Sequence, residues 1–525
     1  MLFLSGLLFP LILFIQSVSS VAALANSSNT KSVFTSLGWV QGSVSGDVTR
    51  YTVKYAKANR WKDSQITTYW DNVASYVWFF RQDGTSLPPT CPQASNVAST
   101  SSSSEDCLSL VIYAPPSAKD LPIMLWIHGG SFVTGSASAP GLDGSKFALK
   151  NDVIVVVIQY RLGVLGLLPP ANASSSPNLA VRDVINSLKY VRSVASSYGG
   201  NKNKITIAGQ SSGAHMIRAL LSSPQAKGLF HSAILQSDPM TYGMSTPTTT
   251  SILTNAFYST LTNSTAQMSA ADLVAAQTQF LSYAYTLDNS VPLAESIRPT
   301  ASSSDATLPM DFFKALQAGS LPSGTLSVPL LLTTVKDEFG SSLGPLNPEP
   351  VPSAYYAPEL SVVFRESDKS AAILNSLEYP LGTDGDATRT ALLDVGTEGL
   401  WTCAVQYAAS LWKSKGGAVY VGEFEAGSPY DDNQQIPYCT GLVCHEDDIK
   451  VVFGTGSSGS NAEVVSRWGS FVRDSTPNGG AYTNWKQFDS PSTILPLGGS
   501  TVTRSCPAGF WGSSPVLFDW QMYSA

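Results

Sequence analysis

Seven short apolar runs punctuate the chain. Residues 108–113, 122–127, 153–158, 205–208, 233–235, 328–332 and 418–421 are mostly β-branched or aliphatic at consecutive positions. A strand with one wet face alternates, whereas a strand buried on both faces does not. These runs predict a largely parallel sheet sandwiched between helices. Residues 183–198 carry an amphipathic helical pattern, and residues 214–221 form a second helix-like stretch. Residues 246–323 are mostly helical in pattern and interrupt the strand series, which predicts a helical insertion over the C-terminal edge of the sheet. Upstream, residues 33–57 are strand-prone and rich in Ser, Thr and Gly, with a hairpin turn at Ser45-Gly46-Asp47. The class is α/β.

Composition adds limits. Hydrophobic residues make up 43% and charged residues 13%, which suits a globular chain, and a net charge of −7 without a basic patch disfavours nucleic acid as a partner. Residues 2–15 are apolar but broken by Ser5, Gly6 and Pro10, and Ala23-Leu24-Ala25 follows. That reads as a secretory signal over residues 1–25, although it lacks an initial Lys or Arg, with a single domain over 26–525. The run is too short and interrupted for a stable membrane anchor. Six cysteines in a secreted chain suggest three disulfides. Residues 94–104, between Cys91 and Cys107, form a serine-rich loop. Residues 345–352 are a proline-rich connection, and sequons stand at Asn26, Asn172 and Asn263.

The chemistry centres on Gly209-Gln210-Ser211-Ser212-Gly213, between the 205–208 strand and the 214–221 helix. Glycines two before and two after the serine let strand and helix meet at a sharp turn. The serine then stands at a helix N-terminus, where developing negative charge is favoured. A serine nucleophile needs a base, and the base needs an acid to hold its tautomer. Of His128, His215, His231 and His445, the last lies in a loop beyond the likely sheet strands and is the best base; His215 points along the helix. Asp337 and Glu338 both follow the 328–332 strand and both qualify as the acid. His128-Gly129-Gly130-Ser131 looks like an oxyanion loop, completed by the N–H of Ser212.

These residues sit among blocks that together resemble the type-B carboxylesterase/lipase family, which includes the cholinesterases. The blocks are Glu105 to Leu110, Trp126 to Gly130, Gln159 to Gly163, Asn178 to Asp183, Gly209 to Gly213, Ile234 to Ser237, Lys336 to Glu338 and His445 to Gly454, in family order. The resemblance implies an α/β-hydrolase fold, with a large mixed, mostly parallel sheet. It implies Glu338 as acid, His445 as base, oxyanion donors at Gly130, Ser131 and Ser212, and Ser237 as a support for acid and base. It further implies a buried ion pair between Glu105 and Arg161 and the disulfides Cys91–Cys107 and Cys403–Cys506, leaving Cys439–Cys444. Three positions depart from the family pattern: Gln210 for Glu, Ser131 for a third Gly, and Phe339 for Gly.

The resulting expectation is a secreted serine carboxylester hydrolase acting on small-molecule esters without cofactor or metal. A lipase of the same family is the alternative, although the Cys91 to Cys107 segment is too short for a lid. A non-catalytic adhesion homologue is disfavoured because all three triad residues stand. Oligomeric state and acyl and alcohol preference are not readable.

Overall fold

The computed structural model describes residues 29–511 except 69–80, 95–101, 174–175, 263, 266, 288–294, 364–366, 384, 503, 505 and 507–510. The signal-like segment, Asn26, Asn263 and most of the serine-rich loop therefore lie outside the described residues.

Among the described residues, beside a small two-stranded sheet, a twelve-stranded one carries the fold. Its strands are β1 (Thr30–Thr35), β2 (Gly38–Ser45), β3 (Val48–Lys54), β4 (Arg81–Gly84), β5 (Ser109–Ala114), β6 (Leu121–Ile127), β7 (Ile154–Ile158), β8 (Gly200–Gln210), β9 (Ser232–Gln236), β10 (Leu330–Val335), β11 (Val419–Phe424) and β12 (Leu495–Leu497). They run β1-β2-β3-β5-β7-β6-β8-β9-β10-β11-β12, with β4 beside β2. Neighbours from β1 through β3 and β5 to β7 are antiparallel. Those from β7 to β12 are parallel. The apolar runs anticipated a mostly parallel sheet buried on both faces, and the family likeness its α/β-hydrolase arrangement.

The absence of alternation in those runs has a direct physical cause. On β6, Ile123, Leu125 and Ile127 enter one core, while Met124 and Trp126 enter the other. On β7, Ile154, Val156 and Ile158 face the first core, and Val155 and Val157 the second. Helices α1 (Leu179–Val194), α2 (Ser212–Ser222) and, farther on, Cys403–Ser414 cover the first core. The helix Asn461–Asp474 covers the second with Val464, Trp468 and Phe471. Helix α1 starts four residues before the expected 183, because Leu179, Ala180 and Val181 are also buried. Asn178, just ahead of it, exchanges two hydrogen bonds with the backbone of Thr300. The expected insertion is present as α3 (Pro247–Ser259), α4 (Ala270–Ala284) and α5 (Phe312–Ala318), between β9 and β10. No helix among the described residues is long and apolar enough to cross a membrane.

Three disulfides tie the fold: Cys91–Cys107, Cys403–Cys506 and Cys439–Cys444. The ion pair expected between Glu105 and Arg161 does not form. Arg161 Nε and Nη2 each lie 2.7 Å from Asp183, and both partners are buried. Glu105 instead binds Arg60, nearer the surface. The reason is geometric. Arg161 follows β7, where helix α1 brings the buried Asp183 against its guanidinium. Arg60 is further held by the carbonyls of Thr265 and Met268, which keep it over Glu105.

The two pairs should therefore differ in cost. Asp183→Asn leaves a buried guanidinium without its countercharge and is expected to lower unfolding free energy by about 3–5 kcal/mol. Glu105→Gln acts on a solvent-screened pair and should change it little. Denaturant unfolding of both variants checks this ranking; the reverse order would restore Glu105 as the partner of Arg161.

Candidate functional site

β8 ends at Gln210 and α2 begins at Ser212, so Ser211 occupies the apex between them with φ 57° and ψ −128°. A non-glycine residue rarely adopts such a conformation, and here neighbours hold it. Ser211 N–H donates to Gln236 O at 2.9 Å, and Ser211 O accepts from His215 N–H at 2.9 Å. The glycines are required by contact. A Cβ on Gly213 would lie 2.1 Å from the carbonyl oxygen of Ile127, and one on Gly209 would lie 2.8 Å from the carbonyl carbon of Gly213. The turn can be this tight only where side chains are missing.

The loop after β6 packs against this turn. A Cβ on Gly129 would come within 3.1 Å of Ser211 Cβ. Gly130 follows with φ 105°, and its carbonyl accepts from the N–H groups of Val133 and Thr134, closing a compact turn. Ser131 is exposed and takes φ 52°, a left-handed conformation that glycine adopts more cheaply. Phe132 N–H donates to Ser212 Oγ at 3.2 Å, which fixes the loop to the start of α2. Gly129 and Phe132 thus dock the loop that carries Gly130 and Ser131 onto Ser211 and Ser212, and the N–H of Ser212 lies at the open end of a helix.

Glu338 and His445 meet across 107 positions. His445 Nδ1 lies 2.6 Å from Glu338 Oε2, while Glu338 Oε1 accepts the N–H of Val335 at 2.9 Å. Glu338 is fully buried. The opposite ring nitrogen of His445 faces the Ser211 turn: its Nε2 is 3.2 Å from Gln210 Nε2. With Nδ1–H donated to Glu338, Nε2 is the accepting nitrogen. Burial alone pushes this imidazole down, but the Glu338 carboxylate, reinforced by Glu446 and Asp448, overrides burial and raises it above its ordinary 6.5.

The loop carrying His445 is anchored on every side. Asp337, the other carboxylate considered for the acid, does not reach the imidazole. It accepts Val443 N–H at 3.0 Å, donates its own N–H to Val443 O at 2.9 Å, and pairs with Arg504 at 2.8 Å. Asp447 accepts the N–H groups of Cys444 and Tyr430 and the side chain of Asn433, which also binds His445 O at 2.6 Å. The Trp401 ring lies 5.5 Å from the imidazole. Phe339 is accommodated by Gly396, where a Cβ would fall 2.4 Å from its ring.

Not every expected contact is made. Ser237 sits at the end of β9 with φ 49°, but its hydroxyl is buried without a hydrogen-bond partner and so binds neither Glu338 nor His445. His128 is buried, stacks on Tyr160 and is pushed down to about 4 by burial. His231 binds the carbonyl of Ile205 at the start of β9. Asn172 is exposed. Reasoning from sequence missed two features. The side chain of Gln210 touches the imidazole of His445, and Glu295 forms a buried pair with His215 at 2.5 Å. The substitution at Gln210 hinted at the first; nothing around residue 295 signalled the second.

Residues 29–505 match the family profile described as Carboxylesterase family. Para-nitrobenzyl esterase of Bacillus subtilis is 39% identical over 218 residues, an alignment that spans 39% of this chain and 43% of that protein. Carboxylesterase 1C of Rattus norvegicus is 28% identical over 466 residues, 81% of each chain. Among solved structures, a thermophilic PNB esterase superposes with TM-score 0.71 at 25% identity, covering 89% of this chain and 96% of that one.

The Cys439–Cys444 bridge, five positions long, directly precedes His445. Loop-closure entropy gives so short a loop about 2 kcal/mol, against about 4.7 kcal/mol for a loop near 100 residues. The Cys439→Ser, Cys444→Ser double variant is expected to fold and melt only a few degrees lower, while any rate limited by His445 falls several-fold. Calorimetry and steady-state kinetics check the pair; a large melting shift with an unchanged rate would contradict it.

Proposed function

The chain belongs to the carboxylesterase family, and on that premise we propose that it hydrolyses carboxylic esters through an acyl-enzyme on Ser211, with His445 as general base and Glu338 as its acid partner. The observation that carries this reading is the imidazole held at 2.6 Å by Glu338 on one side, with its other nitrogen turned to the Ser211 turn.

The steps follow from the roles of these groups. His445 Nε2 takes the Ser211 Oγ proton as Oγ attacks the ester carbonyl. The oxyanion that forms is met by N–H groups of Gly130, Ser131 and Ser212; losing one such donor typically costs about 10²–10³ in rate. Glu338 stabilises the imidazolium, which then protonates the departing alcohol oxygen. Water, deprotonated by the same imidazole, attacks the acyl-enzyme and restores Ser211. No step calls on a metal or cofactor. The proposal extends to a single hydrolase domain over 26–525, exported by the segment 1–25 and glycosylated at Asn26, Asn172 and Asn263; three disulfides support an oxidising destination.

A second reading, hydrolysis at a lipid–water interface, draws on Leu346, Tyr355, Val362, Leu374 and Leu377, large apolar side chains exposed by 43–95% between β10 and β11. Higher rates on emulsified long-chain esters than on dissolved short-chain ones would favour it.

Ser211→Ala should fold normally and lose turnover on the order of a millionfold; substantial residual hydrolysis by pure protein would sink the mechanism. The pH dependence carries its own sign. His445 acts only when neutral, and its raised pKa keeps it protonated to higher pH than a free imidazole. Activity should therefore fall as pH drops through a midpoint above 6.5, and Glu338→Gln should move that midpoint down. A wild-type midpoint at or below 6.5 would contradict the electrostatics described for His445.

A further inference from the structure

Gln210 closes β8 and is fully buried, one residue before Ser211. Its Nε2 is 3.2 Å from Nε2 of His445, the ring nitrogen that must take the serine proton. Its Oε1 is buried as well and has no hydrogen-bond partner. On its other side the amide is confined by the loop after β6, since a Cβ on Gly129 would fall 2.9 Å from that Oε1. Ser211 Oγ makes no hydrogen bond to the imidazole among the described residues. The contact at the working nitrogen of the resting base is therefore with Gln210.

The two ends of the amide match the two states of the base. Neutral His445 gives Nδ1–H to Glu338 and keeps a lone pair on Nε2, which the Gln210 N–H meets. Once Nε2 has taken the Ser211 proton it is a donor and no longer accepts an N–H. A half-turn about the last side-chain bond exchanges the amide N–H for Oε1 without changing the volume of the group. The acceptor that is idle at rest then receives Nε2–H. A carboxylate at this place could serve only the imidazolium, and an apolar side chain neither form.

The surroundings favour a neutral partner here. His445 is faced by Glu338 from the loop after β10, by Glu446, Asp447 and Asp448 from its own loop, and by Glu295 from the insertion between β9 and β10. The ionised carboxyl groups among these already stabilise the imidazolium, and a further negative charge at residue 210 would hold the proton on the base more firmly. An amide orients the ring without adding to that pull.

We propose that Gln210 is a positioning residue of the base: its amide donates to His445 Nε2 at rest, turns over to yield the lone pair to Ser211, and then accepts Nε2–H until the leaving alcohol takes that proton. This rests on the ester hydrolysis proposed above. The proton count is unchanged, since one proton passes from Ser211 Oγ to Nε2 and on to the alcohol oxygen, and Gln210 neither gains nor loses one.

The test is the pH profile of kcat/KM for ethyl butyrate, followed by titrating the acid released, in wild type, Gln210→Met and Gln210→Glu. Methionine fills a similar volume and makes neither hydrogen bond. It should lower the plateau roughly tenfold or more, the scale of a misplaced reacting group, and move the midpoint little, because both states of the base lose their partner. Glutamate still accepts from the imidazolium. It should recover most of the plateau that methionine loses and raise the midpoint by about one unit or more. A methionine variant with the wild-type plateau overturns the proposal. So does a glutamate plateau as low as that of methionine, the mark of a merely structural role, or a glutamate midpoint that stays or falls. If the methionine variant fails to fold, the glutamate plateau and midpoint against wild type still decide. A wild-type protein that hydrolyses neither ethyl butyrate nor 4-nitrophenyl butyrate would instead overturn the hydrolase reading, and this one with it.

Discussion

The hydrogen bond between His445 Nδ1 and Glu338 Oε2 joins two loops that a single backbone bridge, Asp337 to Cys444, brings side by side but does not orient at the side chains. A general base works only when its ring is oriented and its tautomer set, and both requirements reduce to this contact. Much of the surrounding structure serves it. The carboxylate is pinned by the N–H of Val335 at the end of β10. Asp337 bridges the acid loop to the base loop through Val443 and is itself gripped by Arg504, two residues before the cysteine bound to Cys403. Beneath the base, Gln236 on β9 joins Asp448 to Trp468. The sheet thus sets Ser211 and Glu338 just past the ends of β8 and β10, and side-chain clamps hold the loop of His445 against them, the three residues we propose as nucleophile, acid and base.

The nucleophile turn depends on a different constraint, absence of side-chain volume. Gly213 lies against the Ile127 carbonyl and Gly129 against Ser211, so β6, β8 and α2 approach within distances that no Cβ permits. This is why the turn was legible from five residues: the two glycines and the serine carry the steric demand in their identities. The sheet was legible for a similar reason. Runs such as 153–158 are apolar at every position because each face of β7 meets its own core.

Other features were less legible because they arise only in three dimensions. Asp337 and Glu338 are chemically equivalent neighbours, and family likeness was needed to choose between them; the backbone after β10 turns one toward the imidazole and the other toward Arg504. The pairing of Arg161 depends on which carboxylate helix α1 places against it, which residue type could not reveal. Ser237 holds its expected place in the chain but not the expected hydrogen bond. The sequence places His215 along its helix and no further. The fold does remove it from proton transfer with Ser211, yet it gives the histidine a buried carboxylate from 80 residues away.

The central claim is that Ser211 is activated as a nucleophile by His445 and Glu338. It is tested most directly by treating the pure protein with a fluorophosphonate and locating the adduct by peptide mass spectrometry. The account predicts one adduct per chain, on the peptide containing Ser211, forming much more slowly in Glu338→Gln. An unlabelled protein, or an adduct on any other residue, would contradict it.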